Sequence, residues 1–144
     1  ANINMLAYFG KHLRRVVNKF NGSRVSLADM PFNLPGDMPG KAVAVHNGGL
    51  GVATAAILAG IPQVMLYRHE EHWFTANAVV KAGAGAAAQY KDVTSRALSE
   101  AIDRVSKSTA MRESAMRLAE EHAGFQNANP ARAIAEIATR LLSR

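Results

Sequence analysis

The sequence predicts an α/β protein, Rossmann-like in kind, in which a mostly parallel sheet is flanked by helices. Short apolar runs alternate along the chain with segments of helical periodicity. The run 41–45 is apolar without alternation, which is typical of a parallel strand covered on both faces. A glycine-rich turn follows that run directly and leads into a helical segment, which is the order of a βαβ unit.

The first part of the chain predicts two strands and one helix before a proline-rich loop. An apolar run over residues 4–9, stopped by Gly10, predicts the first strand. Apolar residues at helical spacing predict a helix over 13–20, and residues 24–28 predict a second strand. Residues 30–40 contain three prolines and two glycines, which predicts a loop with at most one helical turn.

The middle of the chain carries the βαβ unit. The run 41–45 predicts its first strand, and residues 52–59 predict a helix. Gly60 is expected to cap that helix, and Pro62 prevents the helix from continuing. Residues 63–67 predict the second strand, so the crossover between the two strands is expected to be right-handed.

The remainder is predicted to be mainly helical. Residues 74–82 predict a helix closed by Gly83, and residues 84–90 predict a short strand, although their alanines are also compatible with a helix. Three amphipathic helices follow, the last with Asn129 as its N-cap and Pro130 at its first position. Their apolar stripes are Leu98, Ala101, Ile102 and Val105; Met111, Ala115, Leu118 and Ala119; and Ile134, Ile137, Ala138 and Leu141.

The composition is that of an ordinary globular domain. The 144 residues are 49% hydrophobic and 19% charged, enough to build a single core. No apolar run approaches the roughly 20 residues of a membrane-spanning helix. The chain has no cysteine, which excludes disulfides, thiolate metal sites and a cysteine nucleophile. We therefore expect one domain, and a cytoplasmic protein is the simplest interpretation.

The formal net charge of +6 favours anionic partners. Some of the basic residues lie between 11 and 24, where they predict a solvated helix face. A nucleic-acid binder would interleave such residues with exposed aromatic side chains, and this stretch offers only Phe20, which is better explained as core. We therefore expect no nucleic-acid partner, while a membrane surface stays an open alternative.

The loop between the predicted strand and helix, with the sequence H-N-G-G-L-G, is suited to an anion. Glycine allows positive φ and close approach of a ligand to the backbone, and the start of a helix adds free N–H groups and partial positive charge. The loop therefore predicts a phosphate or pyrophosphate site to which a histidine donates a hydrogen bond. The predicted contacts are His46, Gly48, Gly49, Leu50 and Gly51.

The glycines taken alone leave a second interpretation open. Thr54 stands where the dinucleotide-binding pattern has its third glycine, and no Walker lysine follows. The loop could therefore be a tight turn that needs glycine for its geometry only. A metal site is not expected either, because His69-Glu70-Glu71-His72 does not have the H-E-x-x-H spacing of zinc enzymes.

The wider sequence around the loop resembles the C-terminal, nucleotide-sugar-binding domain of glycosyltransferases with the GT-B fold. The resemblance is to bacterial enzymes of the UDP-glycosyltransferase type that act on natural products, lipids or sterols. It rests first on His46-x-Gly48-Gly49-x-Gly51, then Ala56, then Ala59-Gly60-Ile61-Pro62-Gln63. It extends to Met30-Pro31, to Pro39, and to Glu71-His72 ahead of Gly83-Ala84-Gly85.

The resemblance implies that residues 1–144 are the donor-binding domain of an inverting, metal-independent glycosyltransferase without a cofactor. The donor would be a UDP- or dTDP-sugar, with its diphosphate on the glycine loop. Met30 and Pro31 would contact the base, and Glu71 and His72 the sugar. The acceptor site and the catalytic base would lie on an N-terminal acceptor domain that this chain lacks. No catalytic residue is therefore expected here, and the chain alone is expected to be inactive.

The sequence departs from the family pattern in ways that keep a second function open. Val52 and Ala53 occupy positions that commonly carry hydroxyl side chains, and His72 replaces the usual glutamine. The segment before Arg24 is also short for the family, which suggests that a strand is missing there. The alternative function is a non-catalytic, Rossmann-like module that binds a nucleotide or another anion and acts through partners.

Overall fold

The computed structural model describes residues 5–8, 25–28, 33–127 and 130–142. The predicted helix over 13–20, the N-cap at Asn129 and the two residues expected to contact the base, Met30 and Pro31, lie outside the described residues. The chain divides into two compact units, residues 1–37 and 38–144.

The described residues of the first unit form a parallel pair of strands and one helical turn. Strand β1 (Met5–Tyr8) pairs with strand β2 (Val25–Ala28), in a register that places Met5 opposite Val25. Helix α1 (Leu34–Asp37) is one turn, in which the amide of Asp37 donates to the carbonyl of Asn33 at 2.8 Å. Both predicted strands are confirmed, and so is the single turn within the proline-rich loop.

The second unit is built on a three-stranded parallel sheet. Its strands are β3 (Ala44–His46), β4 (Gln63–Tyr67) and β5 (Gly85–Gln89), in the order β3-β4-β5. The register places Ala44 opposite Gln63 and Gln63 opposite Gly85. The alanine-rich segment is therefore a strand rather than a helix, and the predicted mostly parallel sheet is confirmed.

Strand β3 differs from its prediction in length and in cover. It begins at Ala44 rather than at Lys41, because Gly40 has a φ of 77° and the amide of Lys41 turns back to the carbonyl of Met38 at 3.2 Å. Val45 is 43% exposed, so the expectation of a strand covered on both faces was wrong at this position.

The helices of the second unit follow the predicted order. They are α2 (Leu50–Leu58), α3 (Glu70–Lys81), α4 (Ser95–Lys107), α5 (Thr109–Glu121) and α6 (Pro130–Leu142), with short 3₁₀ turns at Tyr90–Asp92 and Ala123–Asn127. Helix α3 begins at Glu70 rather than at Phe74, because acidic side chains stabilise the positive end of the helix dipole. Helices α2 and α3 are followed by Gly60 and Gly83, whose positive φ values confirm the predicted stops.

The core of the second unit lies mainly between β4, α3 and α5. One buried cluster consists of Met65, Ala76, Val79, Ala84 and Ala115. A smaller one joins Ala44, Ala56 and Ile61. Small side chains dominate both clusters, which allows the helices to pack closely on the sheet. No helix within the described ranges is both long and apolar enough to cross a membrane.

Candidate functional site

The glycine loop and the start of α3 lie side by side at the carboxyl edge of the sheet. The loop follows the end of β3, and α3 follows the end of β4, its parallel neighbour. A Cβ atom built on Gly48 would lie 3.0 Å from the carbonyl oxygen of His72 and 3.3 Å from its Cβ. The structure therefore brings together the loop predicted to bind the diphosphate and a residue predicted to contact the sugar, at the edge where α/β sheets bind ligands.

The three glycines of the loop have different structural roles. Gly48 has a φ of 90° and packs against His72, so both its conformation and its surroundings require glycine. Gly49 has a φ of −61° and serves as the N-cap of α2. A Cβ on Gly51 would meet no heavy atom within 4 Å, so Gly51 leaves the surface of the first turn of α2 open.

His46 is held by hydrogen bonds at both ring nitrogens. The amide of Gly48 donates to Nδ1 at 3.1 Å, and Nε2 lies 2.8 Å from Oε1 of Gln63. Because a backbone N–H can only donate, Nδ1 must be unprotonated and Nε2 must carry the proton. His46 is therefore a neutral imidazole that donates to Gln63.

The surroundings of His46 favour the same neutral state. Burial lowers the pKa of His46 below its ordinary value, and the hydrogen bond with Gln63 opposes this shift. The nearby His72 lowers the pKa of His46 further. Direct donation from His46 to an anion, as expected from the sequence, would require one of its two hydrogen bonds to be exchanged.

Two of the predicted amide donors are engaged inside the loop. The Gly48 amide is bound to His46, and the Gly49 amide donates to Oδ1 of the exposed Asn47 at 3.1 Å. The first helical hydrogen bond of α2 runs from the Ala53 amide to the Gly49 carbonyl at 3.0 Å. The amides of the first turn have no acceptor within the helix, and no side chain caps it. These amides belong to Leu50, Gly51 and Val52.

The structure adds three residues to the site that the sequence patterns do not identify: Gln63, Asn47 and Val52. Gln63 was noted only as part of a motif, although a polar residue that opens an apolar strand is itself a signal. Asn47 was not singled out, although asparagine commonly bonds the backbone two residues ahead, as it does here. Val52 was noted for its side chain, whereas its amide is the group placed at the loop.

Glu71 and His72 are adjacent in sequence but lie in different surroundings. Glu71 is exposed, whereas His72 is partly buried against the loop. Nδ1 of His72 is buried and has no hydrogen-bond partner among the described residues. Within those residues, no group of three or more His, Asp or Glu side chains is arranged to hold a metal ion.

Residues 23–142 match the family described as the C-terminal domain of erythromycin biosynthesis protein CIII-like proteins. The chain belongs to this family. The sequence of this CIII-like domain is also 30% identical over 100 residues to 10-deoxymethynolide desosaminyltransferase of Streptomyces venezuelae. The match covers 69% of the chain and 23% of that enzyme, so the chain spans about a quarter of its relative's length.

Solved structures of glycosyltransferases share the fold of this CIII-like domain. Glycosyltransferase VinC in complex with dTDP matches with a TM-score of 0.76 at 22% identity, over 85% of this chain and 31% of VinC. Glycosyltransferase SsfS6 of Streptomyces sp. SF2575, complexed with thymidine diphosphate, matches with a TM-score of 0.61 at 25% identity, over 83% of this chain and 36% of SsfS6. The predicted fold class and the resemblance to the C-terminal half of GT-B glycosyltransferases are thus confirmed.

Proposed function

We propose that this domain binds the nucleoside-diphosphate part of a sugar donor, as the donor-binding domain of an inverting, metal-independent glycosyltransferase. The observation that carries the proposal is the uncapped first turn of α2, which opens beside Gly48 and His72 at the carboxyl edge of the sheet. Two relatives of the same fold were solved with thymidine diphosphate, which favours dTDP over UDP as the nucleotide.

The diphosphate is proposed to accept hydrogen bonds from the amides of Leu50, Gly51 and Val52. These donors are fixed by the helix before the ligand arrives, and the helix dipole adds partial positive charge. They therefore stabilise the negative charge that develops as the nucleoside diphosphate leaves the sugar, a task that a metal ion performs in other enzymes. Asn47 is exposed, so a phosphate oxygen could replace its side chain on the Gly49 amide.

The other donor contacts are proposed from the family resemblance and from position. Glu71 and His72 would contact the sugar, and a sugar hydroxyl would give the buried Nδ1 of His72 the partner that it lacks among the described residues. Met30 and Pro31 would contact the base. The acceptor and the catalytic base would come from a second domain. We also propose a cytoplasmic location, which is the simplest interpretation of a chain without cysteine.

Gly48→Ala tests the nucleotide site. The substitution forces a side chain into positive φ and against the His72 carbonyl, so the loop must change shape. We expect dTDP affinity, measured by titration calorimetry, to fall at least tenfold. Gly40→Ala is the matched control, because Gly40 has a φ of 77° but nothing within 4 Å of a built Cβ. A folded wild-type chain with no affinity for dTDP or UDP would contradict the proposed function.

A non-catalytic module that binds a nucleotide or another anion is the second candidate. It is favoured by Val52 and Ala53, which provide no hydroxyl groups at the first turn of α2, where Ala53 is only 1% exposed. Competition calorimetry with inorganic pyrophosphate separates a donor domain from a module that binds the anion alone. A donor domain is expected to bind dTDP at least tenfold more tightly than pyrophosphate, because contacts with the base add to the affinity. Equal affinities would favour the anion-binding module.

A further inference from the structure

Gln63 is a fully buried polar residue within an otherwise apolar strand. It opens β4, and its side chain is 0% exposed. Burying an amide without hydrogen bonds is unfavourable, and both ends of this amide are bonded. Oε1 lies 2.8 Å from Nε2 of His46, and Nε2 of Gln63 lies 3.4 Å from the carbonyl oxygen of Ala53.

These contacts form one directed chain of hydrogen bonds. The Gly48 amide donates to His46, His46 donates to Gln63, and Gln63 donates to the Ala53 carbonyl. A backbone amide can only donate and a carbonyl can only accept, so the two ends of the chain determine the position of every proton between them. Rotating the Gln63 amide by 180° would place two acceptor oxygens against each other at Ala53.

We infer that Gln63 is a positioning residue for the glycine loop. It receives the Nε2 proton of His46, which leaves Nδ1 free to hold the Gly48 amide. Its second bond ties the same side chain to the first turn of α2, where Ala53 lies. Gln63 thus keeps the loop and the free amides of α2 in one arrangement, although none of its own atoms is needed to touch the ligand.

The expected effect of Gln63 on nucleotide affinity rests on the proposed function, whereas its expected effect on the conformation of the glycine loop does not. Binding groups held in place before the ligand arrives do not have to be ordered on binding. Loss of the Gln63 bond leaves Nε2 of the partly buried His46 unsatisfied, so the ring can rotate and release Gly48. Replacing a residue that only fills space would change neither the Gly48 loop nor the affinity for the nucleotide. The two measurements therefore distinguish a positioning role from a packing role.

Gln63→Met is the variant that tests the inference, because it keeps the volume and removes both polar ends. Met65→Leu is the control, since Met65 is also 0% exposed in β4 and the change removes no hydrogen bond of the chain. Amide hydrogen exchange at Gly48 and dTDP titration calorimetry are measured on the 144-residue chain. For Gln63→Met we expect Gly48 to exchange roughly tenfold faster and dTDP to bind roughly tenfold more weakly. We expect Met65→Leu to change neither value more than about twofold.

A measurement on the wild-type chain keeps the inference testable if Gln63→Met does not fold. Long-range ¹H–¹⁵N correlation of His46, without nucleotide, is expected to show a protonated Nε2 and an unprotonated Nδ1. A proton on Nδ1 of His46 would overturn the inference. Unchanged amide exchange at Gly48 in Gln63→Met would also overturn it. So would an unchanged dTDP affinity of Gln63→Met, provided that the wild-type chain binds dTDP. If the wild-type chain binds no nucleotide, the proposed function fails, while the exchange and nitrogen data still decide the role of Gln63.

Discussion

At the scale of single residues, His46 connects the loop to the interior of the domain. One ring nitrogen accepts from the Gly48 amide, and the other lies against the buried Gln63. This arrangement depends on a neutral imidazole, because a proton on Nδ1 would remove the acceptor that Gly48 uses. The charge state of one side chain is therefore coupled to the conformation of the predicted diphosphate loop.

The lowered pKa of His46 predicts how stability depends on pH. The unfolded chain binds a proton at this histidine as pH falls through about 6.5, whereas the folded chain resists protonation until lower pH. The neutral His46 therefore contributes fully to the free energy of unfolding above about pH 7.5, and this contribution is lost as pH falls below about 6.5.

Urea denaturation between pH 8 and pH 5.5 measures this effect. The free energy of unfolding of wild type relative to His46→Gln is expected to decrease toward acid pH. His122→Gln is the control for replacing an exposed histidine by glutamine, since His122 lies directly after α5 and outside the loop. A wild-type minus His46→Gln difference that stays constant with pH would contradict the assignment of a lowered pKa.

At the scale of elements, the close approach of β4 and β5 depends on a glycine. Gly85 opens β5 opposite Gln63, and a Cβ atom there would overlap the Gln63 carbonyl group. The strands can therefore pair at this point only without a side chain on Gly85. Gln63 also belongs to the chain of hydrogen bonds that begins at the Gly48 amide. The pairing of β4 with β5 therefore also supports the glycine loop that follows β3.

Gly85→Ala is expected to lower the free energy of unfolding by about 2–3 kcal/mol, because the strand must move to relieve the overlap. Gly124→Ala is the control, as a Cβ there would meet nothing within 4 Å, and its effect should stay within about 0.5 kcal/mol. Urea denaturation followed by circular dichroism measures both. Equal stability of the two variants would show that the sheet tolerates a side chain at Gly85.

At the scale of the whole molecule, stability in the second unit is concentrated around β4, α3 and α5. Buried residues of these elements form the larger core cluster, and Val105 of α4 is 0% exposed. The apolar stripe of α6 is different, since Ile134, Ile137 and Leu141 are 66%, 57% and 67% exposed. Helix α6 therefore buries little of its apolar face against the part of the chain that the structure describes.

This distribution predicts unequal losses of stability for two substitutions. Val105→Ala is expected to lower the free energy of unfolding by about 1–2 kcal/mol, because it leaves a cavity in a closed part of the core. Ile137→Gln should change it by less than about 0.5 kcal/mol, because its side chain is already largely in water. Thermal and urea denaturation of both variants measure the difference. A large loss for Ile137→Gln would mean that α6 packs on the domain in solution.

Local patterns in the sequence were sufficient to predict most elements of the sheet and its helices. Apolar runs bounded by glycine or proline predicted β4 and the ends of α2 and α3, because these signals depend on neighbours in the chain. The start of β3 and the exposure of Val45 were mispredicted. Neither feature is set by the apolar residues 41–45 alone. The start of β3 depends on the turn at Gly40, and the exposure of Val45 depends on how little of the chain packs over that face of the strand.

The sequence by itself determined that a glycine loop joins a parallel strand to a helix in a domain of this glycosyltransferase family. It also placed His46 and Gly48 in that loop. Only the tertiary structure decided which donors the loop leaves free and which proton His46 keeps. The physical reason is that His46 and Gln63 meet through the register of two strands, and no local pattern records hydrogen bonds between residues that are distant in the chain.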